Sequence, residues 1–371
     1  MSNIRLCNVY DIEGDDIMAN KSILMYINDL EPGMVLAREI SSNNTVLVAK
    51  NVIVTQSIIS KLKEKLVFEK IEVYSNDQGK AEYVHFNNEK SVDDIKESFE
   101  VFTKDVENIF SNLEGNNVLA IEEIRKFAKK IQGELNSTGA IIKNIVLYGS
   151  GNDSIYRHCV NVAALSCILG TWLELDENKM NLLTYSAILH DYGKIRVDEN
   201  ILNKVGTLTK EEFKTIKKHP IFGYEDIKKI QYLDSVVSYG VLMHHERLDG
   251  TGYPFGIKDD KIPIFARIIA ITDVFDAVNS NRIYKTSKAP FEVLEIIQKE
   301  SLGKLDYKYC KVFLEHIVNY YMGENVLLND GNICKVVQID INNLSRPLLL
   351  GESGFIDLKS EKGLFIEELV I

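Results

Sequence analysis

Five of the seven histidines fall between residues 158 and 245, each in an apolar setting. His158 opens a pattern continued by Val162, Leu165, Leu169 and Trp172, which puts it on the buried stripe of a helix. Met180, Leu183 and Ala187 lead by the same spacing to His190 and Asp191, at the end of the next helix. Thr209-Lys210-Glu211-Glu212 matches a capping box; the helix it opens is expected to bury Phe213 and Ile216 and to end at His219, stopped by Pro220. Val237 and Val241 lead to His244 and His245. Pro263 suits a first helical position, and Ala266, Ile269 and Ala270 lead to Asp273 and Asp276. One histidine so placed is an ordinary core residue. Five, with two inward acids, would each need a hydrogen-bond partner in a desolvated site. Divalent cations satisfy them all together, and imidazole with carboxylate suits iron, manganese, zinc or nickel.

Adjacent helical positions point about 100° apart. His190-Asp191 and His244-His245 can therefore reach two ions, or one ion and its bridge. A carboxylate between two ions about 3.5–4 Å apart is a bridge common to hydrolytic sites, where the pair acidifies a water and clamps phosphoryl oxygens. The residue types alone describe a binuclear metallohydrolase. Directly after His245, the run Glu246 to Pro254 carries Gly250, Gly252 and Pro254 and reads as a loop facing the substrate, with Tyr253 as its polar aromatic.

These groups need long helices to hold them. No proline occurs between Pro32 and Pro220, so nothing in the middle third forbids such helices. The expected fold is mainly α: a helical catalytic bundle with a small N-terminal α+β unit and a short C-terminal β appendage. Residues 1–21 are polar and acidic, a poorly ordered lead-in. In 22–75, Leu24 to Ile27, Thr45 to Val48 and Ile71 to Tyr74 read as strands, Glu31-Pro32-Gly33 as a turn and Ser57 to Lys65 as a helix. Residues 76–90 form a linker, 91–149 connecting helices led by Ile95, Phe99, Phe102, Val106 and Phe110, 150–322 the catalytic domain and 323–371 the β appendage. His85 lies outside the ligand pattern, and His316, after Val312 and Phe313, is read as structural.

The net charge of −11 argues against a nucleic-acid polymer or an anionic membrane as partner, though not against one small phosphorylated ligand in a basic pocket. Five widely spaced cysteines without a CxxC give neither a disulfide framework nor a thiolate metal site, and Cys159 reads as a small buried filler. No run reaches the roughly 18 apolar residues of a membrane span. The expected location is the cytoplasm.

The quoted blocks resemble those of the HD-GYP family, bacterial metal-dependent phosphodiesterases of cyclic di-GMP. The resemblance covers roughly 149–322. It rests on His190-Asp191-Tyr192-Gly193-Lys194 as HDxGK and on His244 through Pro254 as HHExxDGxGYP without a gap. The third block is Asp273-Val274-Phe275-Asp276-Ala277, followed by Ser280, Arg282 and Tyr284. It implies an HD-type bundle in which His158, His190, Asp191, His219, His244, His245 and Asp273 hold two divalent ions, with Asp191 bridging. Iron or manganese comes first, ahead of zinc, nickel or magnesium. Asp191 and Lys194 would be catalytic; Lys194, Arg282 and Lys285 would contact the substrate phosphates; Gly252, Tyr253 and Pro254 would supply the substrate loop; Glu246 and Asp276 would support the ligands from behind.

Some members carry a glutamate four residues before the first histidine that helps hold a third ion. Here Ser154 stands in that place, so two ions and linear pGpG, rather than onward hydrolysis to GMP, are expected. The implied reaction is in-line attack by a metal-bridging hydroxide, expelling the 3′ oxygen. The implied partner is cyclic di-GMP, with a signalling protein or a second copy as a further partner. Two alternatives stand beside it: a catalytically silent cyclic di-GMP receptor acting through a partner, and hydrolysis of hybrid cyclic GMP-AMP. Retention of every ligand weighs against the first. The GYP block with Arg282 and Lys285 weighs against other HD-superfamily substrates.

Overall fold

A computed structural model describes residues 6–7, 21–42, 45–48, 50, 52, 54, 58–59, 62–63, 70–75, 90–114, 120–150, 155–204, 206–280 and 290–370. Ser154, Arg282, Lys285, His85 and nearly all of the expected linker lie outside them. Residues 1–89 with 315–323 form one compact unit, and residues 90–314 with 324–371 form another.

In the first unit, β1 (Leu6–Cys7), β2 (Lys21–Tyr26) and β5 (Lys70–Ser75) make an antiparallel sheet in the order β1-β2-β5, while β3 (Ile40–Ser42) pairs with β4 (Thr45–Val48). β1 falls inside the stretch expected to be a poorly ordered lead-in, because Leu6 and Cys7 pair with Ile23 and Ser22. Ile27 opens a short 3-10 turn instead of closing the first strand. Alternation along β5 buries Ile71 and Val73, which join Ile23, Leu30, Leu36 and Val54 in one core. Of the helix expected over 57–65, Ile58, Ile59, Leu62 and Lys63 are helical and the rest lies outside the described residues.

The second unit is mainly α. Its helices are α1 (Val92–Glu114), α2 (Ala120–Gly133), α3 (Thr138–Tyr148), α4 (Ile155–Trp172), α5 (Glu177–Leu189), α6 (Glu199–Leu202), α7 (Lys210–Ile216), α8 (His219–Ile227), α9 (Ser235–Met243), α10 (Ile264–Asn279), α11 (Pro290–Glu300) and α12 (Tyr307–Ile317). α1 buries the expected stripe of Ile95, Phe99, Phe102, Val106 and Phe110. α4 is buried all round from His158 to Gly170, which makes it the central rod of the bundle rather than a surface helix with one apolar stripe. α1, α5 and α10 pack around it.

Three local expectations shift. The Thr209–Glu212 capping box forms, but its helix stops at Ile216, so His219 opens α8 instead of closing α7. Pro220, which lacks an amide hydrogen, fits the first turn of α8, where no intrahelical bond is lost. Phe213, expected in the core, is 50% exposed. Pro263 is the N-cap of α10, one position earlier than expected.

The C-terminal strands β6 (Asn325–Leu328), β7 (Ile333–Asp340), β8 (Asn343–Gly351), β9 (Gly354–Asp357) and β10 (Ile366–Val370) form an antiparallel sheet in the order β10-β6-β7-β8-β9. Its buried face packs Val326, Leu328, Val336, Leu344 and Leu349. The sheet is fastened to α11: Gln298 Nε2 donates to Ile341 O at 2.5 Å, and Ser345 Oγ donates to Glu295 Oε1.

Candidate metal centre

The bundle brings all seven expected ligands together. They form two groups whose ligand atoms lie within 4.8 Å of one another: His158, His190 and Asp273 in one, Asp191, His219, His244 and His245 in the other. His158 comes from α4, Asp273 from α10, and His190-Asp191 and His244-His245 from the turns that end α5 and α9. Gly193 explains how His219 arrives. A Cβ there would stand 2.0 Å from His219 O and 2.4 Å from Gly223 N, so only glycine lets the start of α8 close against the turn after Asp191.

Hydrogen bonds fix the tautomers. His190 Nδ1 faces Ala187 O at 2.7 Å, His219 Nδ1 faces Ile216 O at 2.8 Å and His244 Nδ1 faces Val241 O at 2.7 Å. A carbonyl only accepts, so each Nδ1 carries a proton and each ring turns its Nε2 inward. Those nitrogens converge on one another: His158 and His190 Nε2 are 3.3 Å apart, as are His219 and His244 Nε2. Asp191 adds negative charge between them. Its Oδ2 lies 3.5 Å from the Nε2 of both His158 and His190; its Oδ1 lies 3.1 Å from His219 Nε2 and 4.0 Å from His244 Nε2. Oδ1 is buried and finds no hydrogen-bond donor. Lone pairs and carboxylate oxygens packed this closely repel unless cations lie among them. The donor set therefore fits divalent metal ions.

Burial holds the His190 imidazole below its ordinary pKa, and burial with neighbouring imidazoles holds those of His244 and His245 far below theirs, so they stay neutral as ligands must. Burial also disfavours charge on His158, but Asp273 and Asp276 outweigh it and raise this group to about 9. Burial would raise Asp191 and Asp273; for Asp191, Lys194 and the imidazoles overcome it, and for Asp273, His158 and His245 do, so both stay ionised well below the usual carboxylate range. Lys194 Nζ donates to Asp191 Oδ2 at 2.5 Å.

Behind His158 lies a polar shell only partly anticipated. Asp276 accepts from His158 Nδ1 at 2.6 Å, from Asn161 Nδ2 at 2.7 Å and from Ser150 Oγ. Asn161 and Ser150 were not anticipated; the available signal was an asparagine three residues after His158 on the same helix face. Glu246 supports the following loop rather than a ligand ring. It is buried, and its carboxylate accepts from the amides of Phe255 at 2.8 Å and Ile257 at 3.0 Å. Within that loop Tyr253 donates its amide to His245 O and stacks on the His245 ring at 4.5 Å. The Tyr253–Pro254 bond is cis. A Cβ on Gly252 would stand 2.4 Å from Arg247 N, so the loop closes this tightly only with glycine.

Residues 141–308 match the HD domain family. Among curated relatives, the cyclic di-GMP phosphodiesterase PA4108 of Pseudomonas aeruginosa is 33% identical over 204 residues, 55% of this chain and 49% of the relative. The cyclic di-GMP phosphodiesterase response regulator RpfG of Xanthomonas campestris is 36% identical over 155 residues, 41% of this chain and 40% of the relative. The 3'3'-cGAMP-specific phosphodiesterase 1 of Vibrio cholerae is 33% identical over 189 residues, 51% of this chain and 43% of the relative. The chain thus spans about half the length, or less, of the curated relatives it matches. Among solved structures, Bd1817, an HDG"Y"P protein from Bdellovibrio bacteriovorus, superposes with a TM-score of 0.52 at 17% identity, covering 80% of this chain and 99% of that one. That likeness is one of fold. The HD domain and its relatives bear out the resemblance drawn from the three sequence blocks.

Proposed function

We propose that this chain is a metal-dependent phosphodiesterase that opens cyclic di-GMP to linear pGpG. One observation carries the reading: the two oxygens of Asp191 face two separate pairs of inward imidazole nitrogens. Two divalent cations bound there, iron or manganese ahead of zinc, nickel or magnesium, would supply an acidified water and a sink for phosphoryl charge.

The chain's own residues do the rest. His158, His190 and Asp273 would hold one cation, and His219, His244 and His245 the other, with Asp191 ionised between them. Lys194 steadies Asp191, and its side chain, 21% exposed, is open to a phosphoryl oxygen. Arg282 and Lys285 would take the remaining phosphate charge. Gly252, Tyr253 and Pro254 would flank the substrate, Glu246 would hold their loop in place, and Asp276 would orient His158. Ser154, in place of a further acid, favours two ions and pGpG as product.

The relatives named as cyclic di-GMP phosphodiesterases support the substrate. The relative named for 3'3'-cGAMP favours a second reading, hydrolysis of hybrid cyclic GMP-AMP by the same centre. A full ligand set weighs against a silent receptor. The HD domain would work in the cytoplasm, with the 22–75 unit and the β strands of 323–371 as regulatory or docking extensions for a signalling partner or a second copy. Among the described residues no helix is long and apolar enough to cross a membrane.

The test is chromatography after the purified, metal-loaded chain is incubated with each dinucleotide. Conversion of cyclic di-GMP to pGpG that disappears in Asp191→Ala supports the reading. Intact cyclic di-GMP beside a full metal load overturns it.

A further inference from the structure

Phe213 and Lys217 place an aromatic face and an ammonium beside the metal centre, and none of the roles assigned above uses them. α7 has no buried residue, so Phe213 does not anchor the helix; the Thr209–Glu212 capping box and the Lys204–Glu212 pair hold it instead. Lys217 follows α7 one turn after Phe213. Its Nζ stands 4.7 Å from the Phe213 ring centroid and 5.0 Å from that of Tyr253. Tyr253 in turn stacks on His245, a member of the Asp191 ligand group. Among the described residues no carboxylate lies within ion-pair distance of Lys217, so its charge is not taken up by an acid. A lone exposed phenylalanine is ordinary. One tied by a cation to the ring that covers a metal ligand is not.

We propose that Phe213 and Lys217 form a nucleobase subsite for a purine of the substrate. Lys217, which covers the Phe213 face in this structure, swings aside as the base stacks on Phe213 and donates to the O6 and N7 acceptors of guanine. Adenine presents an amino donor where guanine presents O6, so an ammonium here prefers guanine. The subsite rests on the phosphodiesterase reading and extends it. The metal centre reads a phosphate common to every cyclic dinucleotide, whereas this corner reads a base.

The experiment compares kcat/KM for cyclic di-GMP with kcat/KM for bis(p-nitrophenyl) phosphate, a phosphodiester without a purine. It is run on wild type, Phe213→Ala and Lys217→Met. The expected result is a fall of about tenfold or more in the ratio of the two in each variant, carried by KM for the dinucleotide. An unchanged ratio overturns the subsite and leaves the hydrolase reading standing. If wild type cleaves neither ester, the hydrolase reading fails and calorimetric binding of GMP decides the subsite. Weaker binding by Phe213→Ala then supports it, and equal binding or none overturns it.

Discussion

His158 and Asp276 share a short hydrogen bond, 2.6 Å from Nδ1 to Oδ2, that sets which ring nitrogen faces the ligand cluster. With its proton committed to Asp276, the ring turns Nε2 toward Asp273 Oδ1 at 3.1 Å and His190 Nε2 at 3.3 Å. Replacing the carboxylate loosens both ring orientation and ligand basicity. Asp276→Asn is expected to weaken metal binding by about 10- to 100-fold, read by metal titration of the purified chain. Full affinity in that variant would mean that the bond does not position His158.

The same pair gives a pH signature. In chelator-treated protein His158 keeps its proton up to about 9, against an ordinary 6.5. A raised folded value stabilises the metal-free fold fully below pH 6.5, and that contribution is lost as pH rises through 9. A cation must displace the proton on Nε2 while Nδ1 keeps its bond to Asp276, so apparent metal affinity should climb by about tenfold per pH unit between pH 7 and 9. Asp276→Asn should flatten the slope. Affinity independent of pH in wild type would contradict the assignment.

Gly193 is a packing requirement inside the site. Any Cβ would collide with the backbone of His219 and Gly223, neither of which can rotate away. Gly193→Ala is expected to cost about 3 kcal/mol or more in stability and to drive His219 from Asp191. Thermal unfolding and metal content measure the two effects separately; a stable variant with full metal content would show that α8 can give way.

Glu246 separates the loop from the metals. Glu246→Ala leaves the buried acceptor duty for the Phe255 and Ile257 amides unmet, at about 1–3 kcal/mol for each unsatisfied group. Metal content should hold while KM for the dinucleotide rises. Lost metal with KM unchanged would place Glu246 among the ligand supports instead.

The sequence exposed the ligands better than the elements around them. Polar residues at helical spacing on apolar faces are conspicuous, so the seven candidate ligands that the bundle gathers, and Asp276, stand out in the sequence, as does the stripe of α1. The end of α7 could not, because nothing in Ile216-Lys217-Lys218-His219 breaks a helix and Pro220 is as compatible with opening one as with closing one. Phe213 was misplaced because an apolar side chain at helical spacing implies burial only where a partner surface exists. Ser150 and Asn161 carry no pattern of their own, since their role depends on Asp276 arriving from α10, more than 100 residues away in the chain. Within the expected β appendage, the bounds of β8 and β10 are hard to read because Pro347 and short polar interruptions hide their alternation.

The central claim is that Asp191 joins two cations. Elemental analysis of the metal-loaded chain and of Asp191→Ala, with folding checked by circular dichroism, tests it most directly. The account predicts about two ions per wild-type chain and the loss of at least one in the variant, together with hydrolysis. One ion in wild type, or two that survive Asp191→Ala, would contradict it.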